Sequence, residues 1–319
     1  MKKNLLPTWA SWAIAALGIA ILAWIVVTTD APIDTINFSI GTVAILIVAQ
    51  GAYLVTESLR MQTVIEQAAE MRFERWHMLR LFVKARILNL VIPQSGNLYR
   101  IAGIKDRYDA AVSETVGGMA GFVWLSVSAS LGLSTLLFAL GLGDAATAQT
   151  PPWVALLVLT VLAIVAPWIV LGLVSRIQRE HGFVSKLVRA ADAALAVTKS
   201  PRTLATFGAY WLLTIVVVVV MYSTAFSMVG PVPSVATLVA IYALVQATSF
   251  VVVTPGNIGI QDLGFAAVAV LFGSDAGVAA AAALIIRASG IAVTAMAGLG
   301  AALVESGEPS TDADHGLGR

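Results

Sequence analysis

Long apolar segments separated by short polar ones dominate the pattern of this chain. A helix needs about 20 consecutive apolar residues to cross a bilayer. Six segments are long and apolar enough, and they cover residues 8–28, 36–56, 115–141, 152–174, 204–228 and 276–304. The pattern therefore predicts an all-α polytopic membrane protein with about six full spans.

Composition supports a membrane protein and excludes several kinds of site. Hydrophobic residues make up 59% of the chain and charged residues only 12%, whereas soluble domains carry about 25% charged residues. The chain has no cysteine, which excludes disulfides, thiolate metal sites and a cysteine nucleophile. Its three histidines, His77, His181 and His315, all lie outside the predicted spans. We therefore expect neither a metal ion nor a cofactor.

Basic residues are distributed unevenly between alternate loops. Nine lysines and arginines lie between residues 60 and 107, and six lie between residues 176 and 202. The alternate loops contain none, and they lie near residues 29–35, 142–151 and 229–234. The positive-inside rule therefore places the basic loops and both termini in the cytoplasm, with the spans in an inner or plasma membrane.

Two other interpretations of the basic residues are less well supported. A basic N-terminus before an apolar segment also fits a signal peptide, but the apolar part of a signal is only about 7 to 15 residues long. We interpret the first segment as an uncleaved span. In the basic region between residues 60 and 107, Glu66, Glu70 and Glu74 interleave with Arg72 and Arg75, which is typical of a solvated helix face. We expect no nucleic-acid partner.

The region from residue 57 to residue 109 does not fit a simple count of spans. Charged and apolar residues at helical spacing predict a helix lying in the membrane interface over residues 57–80. A shorter apolar helix follows and ends at a break that contains Pro93 and Gly96, after which a second short helix begins. The pattern therefore predicts a broken helical hairpin, entered from the cytoplasmic side.

A second break interrupts the last third of the chain. An apolar helix over residues 235–253 ends at a turn containing Pro255, Gly256 and Gly259, and a further apolar helix follows. Proline ends a helix and glycine permits unusual backbone geometry. We predict a re-entrant hairpin entered from the outer side. Hydropathy leaves a full span over these 19 residues open as well, because that length can cross a bilayer.

The two breaks occupy equivalent places in the two halves of the chain. Residues 1–141 and residues 152–304 are each predicted to form two spans, a broken hairpin and a further span. The first hairpin enters from the cytoplasmic side of the membrane and the second from the outer side. Residues 305–319 form a polar tail. Inverted repeats with broken helices that meet near the midplane are typical of secondary transporters, whose substrate site lies between the repeats. The sequence therefore predicts one transmembrane domain built as an inverted repeat.

Charged residues at membrane depth mark the candidate site. Arg287 lies near the middle of the last predicted span, where an arginine costs about 2.5 to 3.5 kcal/mol unless it has a partner. Asp262, at the second break, is the preferred partner, and Glu114, at the start of the third span, is the other available carboxylate. A structural ion pair without substrate contact is the alternative role for Arg287.

The first break supplies a second cationic candidate. Arg100 follows Asn97 by three residues and could donate two parallel hydrogen bonds to a lipid phosphate. Asn97 and Asn257 add donors and acceptors at the two tips. These residues also have structural explanations, because Arg100 could extend to the interface and the asparagines could cap helices.

Several short motifs resemble the transmembrane domain of lysylphosphatidylglycerol synthases. They occur in the same order and spacing as in that family, and they are residues 93–100, Ser113-Glu114, residues 255–262 and residues 283–287. The resemblance covers nearly the whole chain and implies a flippase-like module that moves lipid between leaflets. The soluble aminoacyl-transfer domain of the synthases has no counterpart in the chain, so we do not expect it to make an aminoacyl lipid.

Some charges of the family pattern are absent here. Gly96-Asn97 stands where the family tends to have Gly-Glu, Gln261-Asp262 stands where it tends to have Arg-Glu, and Thr115 replaces an arginine. The substrate can therefore differ from an aminoacylated lipid. We predict translocation of an anionic phospholipid or an isoprenoid-linked phosphate. The alternatives are a secondary transporter of a small solute and, less favoured, a membrane-embedded enzyme.

The expected partners follow from this prediction. Membrane lipids are the expected ligands, and a second copy of the chain or a lipid-modifying enzyme is a possible protein partner. The predicted substrate-binding set is Asn97, Arg100, Glu114, Asn257, Asp262 and Arg287.

Overall fold

The structure, a computed structural model, describes residues 8–29, 39–143, 152–175, 183–248 and 254–307. Within these ranges the regular secondary structure is helical and no strand occurs. The α-helices are α1 Thr8–Thr28, α2 Ile40–Ala68, α3 Arg75–Val91, α4 Ser95–Tyr108, α5 Val112–Ala139, α6 Pro152–Ser175, α7 Phe183–Lys199, α8 Pro201–Ser227, α9 Val235–Thr248, α10 Ile260–Leu271 and α11 Ala276–Gly307. The prediction of an all-α polytopic membrane protein is confirmed.

Five helices of the described chain are long and apolar enough to cross a membrane. They are α1, α2, α5, α8 and α11, and each overlaps one of the predicted spans. The remaining predicted span, over residues 152–174, corresponds to α6, in which Val154–Val170 forms a shorter apolar stretch. The chain is a multi-pass membrane protein.

Side-chain caps begin two of the long helices. Ser39 precedes α2, and its Oγ accepts a hydrogen bond from the backbone N–H of Thr42 at 3.0 Å. Ser200 precedes α8 and accepts from the N–H of Thr203 at 3.3 Å, while Pro201 occupies the first turn. Serine is a favoured capping residue, and proline fits the first turn because its missing N–H would have no helical partner there.

The predicted interfacial helix over residues 57–80 is wrong as a separate element. Helix α2 continues to Ala68 without a break, and Glu70 then adopts a left-handed conformation with φ 52° before α3 begins at Arg75. The charges of Glu57 and Arg60 do not end the membrane helix, because both side chains have partners inside the bundle. The hairpin is therefore made by α3 and α4.

A helix also occupies the predicted cytoplasmic loop over residues 176–202. Helix α7 packs along α5, and small residues make this approach possible. A Cβ added to Gly117 would collide with the carbonyl oxygen of Ala190, and one added to Gly121 would contact Ala194. Small residues at helix interfaces allow such close packing in membrane proteins.

The helix packing pattern of the first half recurs in the second half. Helix α5 of the first half packs on α6 and α9 of the second half, and α11 of the second half packs on α1 and α3 of the first half. Helices α2 and α8, one from each half, pack against each other. Helix α5 also packs on α2, as α11 does on α8.

The largest buried apolar cluster includes Phe226 of α8 and Tyr242 of α9, both at most 2% exposed. Helix α9 therefore lies inside the bundle.

The described part of α9 is shorter than a span. It has 14 residues, which extend about 21 Å at about 1.5 Å per residue, whereas the hydrocarbon core is about 30 Å thick. Residues 249–253 lie outside the described ranges. Helix α10 packs against α9, as the second arm of a hairpin does. Because residues 249–253 are not described, the re-entrant hairpin and the full span over residues 235–253 both stay predictions.

Candidate functional site

The first break lies between α3 and α4. Pro93 follows the end of α3, and Gln94 then adopts a left-handed conformation with φ 66°. The backbone N–H of Gly96 donates to Oδ1 of Asn89 at 2.8 Å. A Cβ on Gly96 would collide with the carbonyl oxygen of Ala85. Glycine is therefore required here because α4 begins directly against the backbone of α3.

The second break lies between α9 and α10 and contains three residues with positive φ angles. Pro255–Asn257 form a short 3-10 turn in which Gly256 has φ 56° and Asn257 has φ 55°, and Gly259 follows with φ 83°. A Cβ on Gly259 would lie 2.8 Å from the carbonyl oxygen of Ala15 in α1. Glycine thus provides both the left-handed backbone and the close approach of α1.

The two breaks contact each other. The turn at Pro255–Asn257 packs against the end of α3, where a Cβ on Gly256 would lie 2.7 Å from Cδ2 of Leu90. Non-helical backbone inside a membrane protein needs protein or water to satisfy its polar groups. The structure therefore brings together the two tips that the sequence placed in separate halves.

Arg287 connects α11 to the second break. Its Nε donates to both carboxylate oxygens of Asp262, at 2.8 Å and 3.0 Å, and its Nη1 donates to the carbonyl oxygen of Gly256 at 3.1 Å. The same carboxylate accepts the N–H of Gly259 at 2.9 Å. The predicted pairing of Arg287 with Asp262 is confirmed. Because Asp262 also caps α10, this pair holds the shape of the break.

A cavity of about 310 Å³ opens between the two breaks. Residues from both hairpins line it, including Asn97 and Arg100 from the first and Asn257 and Asp262 from the second, and Arg287 completes its polar wall. Five of the six residues predicted to bind substrate therefore surround one space. Gly256 lines it too, whereas the other proline and glycine residues predicted to form the breaks do not, and these are Pro93, Gly96, Pro255 and Gly259.

Arg100 lines this cavity and has no carboxylate within ion-pair distance among the described residues. The residue is only 7% exposed. Its Nη1 contacts Sδ of Met61 at 3.2 Å, and the guanidinium lies 4.9 Å from the ring centroid of Phe82. A thioether is a weak hydrogen-bond acceptor. The guanidinium thus keeps unused donors beside the cavity, and it is not extended to the interface.

Asn257 presents a second unsatisfied group at the cavity wall. The residue is 7% exposed, and its Oδ1 has no hydrogen-bond partner in the part of the chain that the structure describes. Buried polar atoms are usually hydrogen-bonded. Asn97, on the opposite tip, instead donates from Nδ2 to Oε1 of Gln94 at 2.7 Å. Oδ1 of Asn257 is therefore a buried acceptor that can receive a hydrogen bond from a ligand or from water.

Glu57 and Arg86 form a second acid–arginine pair in the cavity wall, one that sequence analysis did not identify. Nη1 of Arg86 lies 3.2 Å from Oε2 of Glu57, and the Arg86 guanidinium lies 5.5 Å from the ring centroid of Tyr53. Sequence analysis missed the pair because it assigned Glu57 to the predicted interfacial helix over residues 57–80 and Arg86 to the shorter apolar helix that follows. The wall therefore carries three arginines and two carboxylates.

Arg60 is a third residue that sequence analysis missed. It is fully buried at 0% exposure, and it donates to Oη of Tyr242 at 3.2 Å and to Oγ of Ser126 at 2.6 Å. Its guanidinium carbon lies 5.1 Å and 5.5 Å from the ring centroids of Phe122 and Phe207. Hydroxyl acceptors and aromatic faces thus stabilise the charge where α2, α5, α8 and α9 meet.

Glu114 does not join the other predicted site residues. It lies in the first turn of α5 and outside the residues that line the cavity. A carboxylate near the N-terminus of a helix is stabilised by the helix dipole. This position gives Glu114 a structural explanation that is independent of the cavity.

Comparison with known proteins gives one family and no individual relative. The family described as the lysylphosphatidylglycerol synthase transmembrane region matches residues 9–298. No curated protein matches the chain, and no solved structure does. The matched range includes both breaks and every residue that lines the cavity.

Proposed function

The chain belongs to the family of lysylphosphatidylglycerol synthase transmembrane regions, and from this we propose that it moves an anionic lipid between the leaflets of the membrane. The lipid is a phospholipid or an isoprenoid-linked phosphate. The family supports a function connected with membrane lipids. The chemistry of the cavity supports the anionic headgroup, and the arrangement of the helices supports transport.

One observation carries the proposal, namely that Arg100 lines a cavity between two broken helices and that no described carboxylate lies within ion-pair distance of it. A guanidinium presents donors in a planar fork that matches the oxygen atoms of a phosphate. An unpaired charge in a low-dielectric site is costly, and an anionic ligand reduces that cost. Arg100 is therefore the residue that would bind the phosphate directly.

The size of the cavity suits a headgroup better than a whole lipid. Its volume of about 310 Å³ is at the lower end of the usual range for small-ligand sites, about 300 to 1,000 Å³. In the proposed mechanism the phosphate and its polar substituent enter the cavity, while the acyl or isoprenoid chains stay in the bilayer. Arg287 would offset part of the cost of carrying the negative charge past the second break.

The helix arrangement supports alternating access. The repeated packing of α5 on α6 and α9, and of α11 on α1 and α3, is what two structurally equivalent halves would produce. We propose that these halves form an inverted repeat and that the cavity lies at their interface, as in secondary transporters. The basic loops would face the cytoplasm, in an inner or plasma membrane.

A liposome assay tests this proposal. The purified chain is reconstituted with trace phosphatidylglycerol or polyprenyl phosphate carrying a fluorescent group, and an impermeant reductant quenches only the outer leaflet. We expect the protein to accelerate the loss of protected fluorescence over protein-free liposomes. The variant Arg100→Gln should slow it, because glutamine keeps hydrogen-bonding groups but carries no charge.

The same liposomes distinguish the alternative functions. If none of these lipids moves faster with the protein than without it, lipid translocation is wrong. Uptake of a water-soluble anion by the same preparation would then favour a secondary transporter of small solutes. Release of a modified lipid, detected by mass spectrometry, would favour a membrane enzyme.

A further inference from the structure

We infer that Glu57 determines which headgroup charge the cavity accepts, by disfavouring a phosphate with two negative charges relative to a phosphate with one. This inference rests on the proposed lipid site and specifies its substrate class. It concerns a residue outside the predicted site set, and it follows from a difference between the two acid–arginine pairs that line the cavity.

The pair made by Asp262 and Arg287 is built into the second break. Asp262 accepts hydrogen bonds from Nε of Arg287 and from the N–H of Gly259, and the two side chains are only 7% and 18% exposed. Exchanging a partner for a ligand would expose the backbone groups of the break. This carboxylate is therefore fixed in a structural role.

The pair made by Glu57 and Arg86 is looser. A single contact at 3.2 Å joins the two side chains, and they are 13% and 34% exposed. Glu57 lies within α2, and no backbone group depends on its carboxylate for a cap. A ligand can therefore interact with the Glu57 carboxylate without disturbing the fold.

Glu57 also acts on the proposed phosphate ligand Arg100. Glu57, Arg86 and Arg100 line the same cavity, and Glu57 and Arg86 act on the charge of Arg100 in opposite senses, Glu57 the more strongly. A phosphate bound by Arg100 therefore lies in the field of the Glu57 carboxylate, which repels it. Arg60 interacts with Glu57 as well but is not among the residues that line the cavity, and its effect on a ligand is common to the wild type and to a Glu57→Gln variant.

This repulsion grows with the charge of the ligand. A phosphodiester headgroup carries a single negative charge, whereas a phosphomonoester carries about 1.5 to 2 at neutral pH. Charge interactions are strong in a low-dielectric site. The chain should therefore bind a phosphodiester, such as the headgroup of a glycerophospholipid, in preference to the phosphomonoester of a polyprenyl phosphate.

Two lipids that differ only in the phosphate ester test the inference. Binding of dioctanoyl phosphatidylglycerol and of dioctanoyl phosphatidate to the purified chain in detergent is measured by calorimetry at about pH 8, where the monoester is close to doubly charged. We expect wild type to favour phosphatidylglycerol. The variant Glu57→Gln should raise the relative affinity for phosphatidate by about tenfold, corresponding to about 1.4 kcal/mol.

Matched variants separate this effect from other causes. Glu74→Gln removes the same charge from an exposed ion pair with Arg107 outside the cavity, and it should leave the affinity ratio unchanged. Glu57→Asp keeps the charge and should retain most of the preference. Melting temperatures of all variants verify that each is folded.

Each of three outcomes of the binding experiment either supports or overturns the inference about Glu57. A ratio that shifts with Glu57→Gln and not with Glu74→Gln supports the inference, whether or not the lipids are also moved in liposomes. Binding of both lipids with an unchanged ratio overturns the role of Glu57 and leaves lipid translocation standing. Absence of binding for both lipids, in wild type and in every variant, overturns the inference together with the lipid site on which it rests.

Discussion

Nε of Arg287 lies 2.8 Å from Oδ1 of Asp262, although 25 residues separate them in the chain. The aspartate also accepts the N–H of Gly259, and the arginine also donates to the carbonyl oxygen of Gly256. One ion pair thus satisfies backbone groups on both sides of the second break. The break depends on this pair for its shape, and through it α11 is attached to α10.

The variant Arg287→Gln should destabilise the protein strongly. It leaves the carboxylate of Asp262 buried without its counter-charge, and breaking a buried ion pair in this way typically costs about 3 to 5 kcal/mol. We expect a clear fall in the melting temperature of the detergent-purified chain and in its yield from membranes.

A double variant distinguishes pairing from a general intolerance of change at Arg287. Combining Arg287→Gln with Asp262→Asn removes both charges and keeps hydrogen-bonding groups, so it should recover much of the melting temperature. As a control, Glu74→Gln in the half-exposed pair with Arg107 should have little effect, because exposed pairs contribute about 0 to 1 kcal/mol. A double variant no more stable than the single one would show that the two charges do not stabilise each other.

Arg100 should behave in the opposite way, because no carboxylate in the described part of the chain forms an ion pair with it. Arg100→Met removes a buried charge beside Met61 and Phe82, so the melting temperature should stay constant or rise. Lipid transport should fall, with half-saturation at about tenfold more lipid or beyond, because charge-assisted hydrogen bonds contribute about 1.5 to 3 kcal/mol. Liposome transport and thermal denaturation of the same preparation measure both effects.

The conservative variant makes this prediction specific. Arg100→Lys keeps the charge but loses the planar fork, so its transport should lie between those of wild type and Arg100→Met. Equal transport by all three proteins would show that Arg100 does not bind the substrate.

The sequence predicts much of this site because charge is conspicuous at membrane depth. Arg287 lies inside an apolar segment, and Asp262 lies at a break that Pro255 and two glycines mark clearly. Since an unpaired charge is costly there, partner and position could be inferred together. The break residues could be located for a similar reason, because proline and glycine disrupt a helix by local sterics alone.

The residues that sequence analysis missed lie where helix length depends on tertiary contacts. Hydropathy suggested that the second span ends at residue 56, yet α2 continues to Ala68. Arg60 remains inside because Tyr242, Ser126 and two phenylalanines surround it, and none of these is near it in sequence. The Glu57–Arg86 pair was hidden by the same boundary. Buried positions at helical spacing past residue 57, such as Met61 and Ile65, were the available signal.

Close packing at the first break gives a further prediction. In Gly96→Ala the added Cβ would collide with the carbonyl oxygen of Ala85, and backbone cannot move aside as a flexible side chain can. Overpacking of this kind typically costs about 1 to 3 kcal/mol. The melting temperature should fall accordingly.

A second glycine supplies the control. Gly51 lies in α2, and a Cβ added there meets no atom within 4 Å. Gly51→Ala should therefore leave the melting temperature unchanged or raise it slightly, because alanine favours a helix over glycine by about 0.5 to 1 kcal/mol. Equal effects of the two substitutions would contradict the close contact of α3 with α4.

Replacing the buried Arg60 of α2 should lower the stability of the protein, because its hydrogen bonds are lost. Arg60→Lys cannot reproduce both the bond to Tyr242 and the bond to Ser126, nor the flat surface between two aromatic rings. Loss of one charge-assisted bond should lower stability by about 1.5 to 3 kcal/mol. In a double-mutant cycle with Tyr242→Phe, the effects of the two changes should be smaller together than their sum. Additive effects would show that these side chains are energetically independent.

The last prediction concerns the topology of the second hairpin. The chain has no native cysteine, so single cysteines can be introduced at exposed positions and tested in cells with an impermeant thiol reagent. Val232 precedes α9 and is 46% exposed, and Asp275 follows α10. If α9 and α10 form a hairpin that enters and leaves on the same side, Val232→Cys and Asp275→Cys should both react from outside. Leu142→Cys, 57% exposed after α5, should react there too.

A cytoplasmic position completes this test. The positive-inside rule places Glu74, between α2 and α3, in the cytoplasm, so Glu74→Cys should react only after the membrane is permeabilised. The decisive comparison is between Val232→Cys and Asp275→Cys. Because α10 has only 12 residues and extends about 18 Å at about 1.5 Å per residue, it cannot return the chain across the bilayer by itself. Reaction of Asp275→Cys only after permeabilisation, with Val232→Cys labelled from outside, would therefore show that residues 235–253 cross the membrane completely.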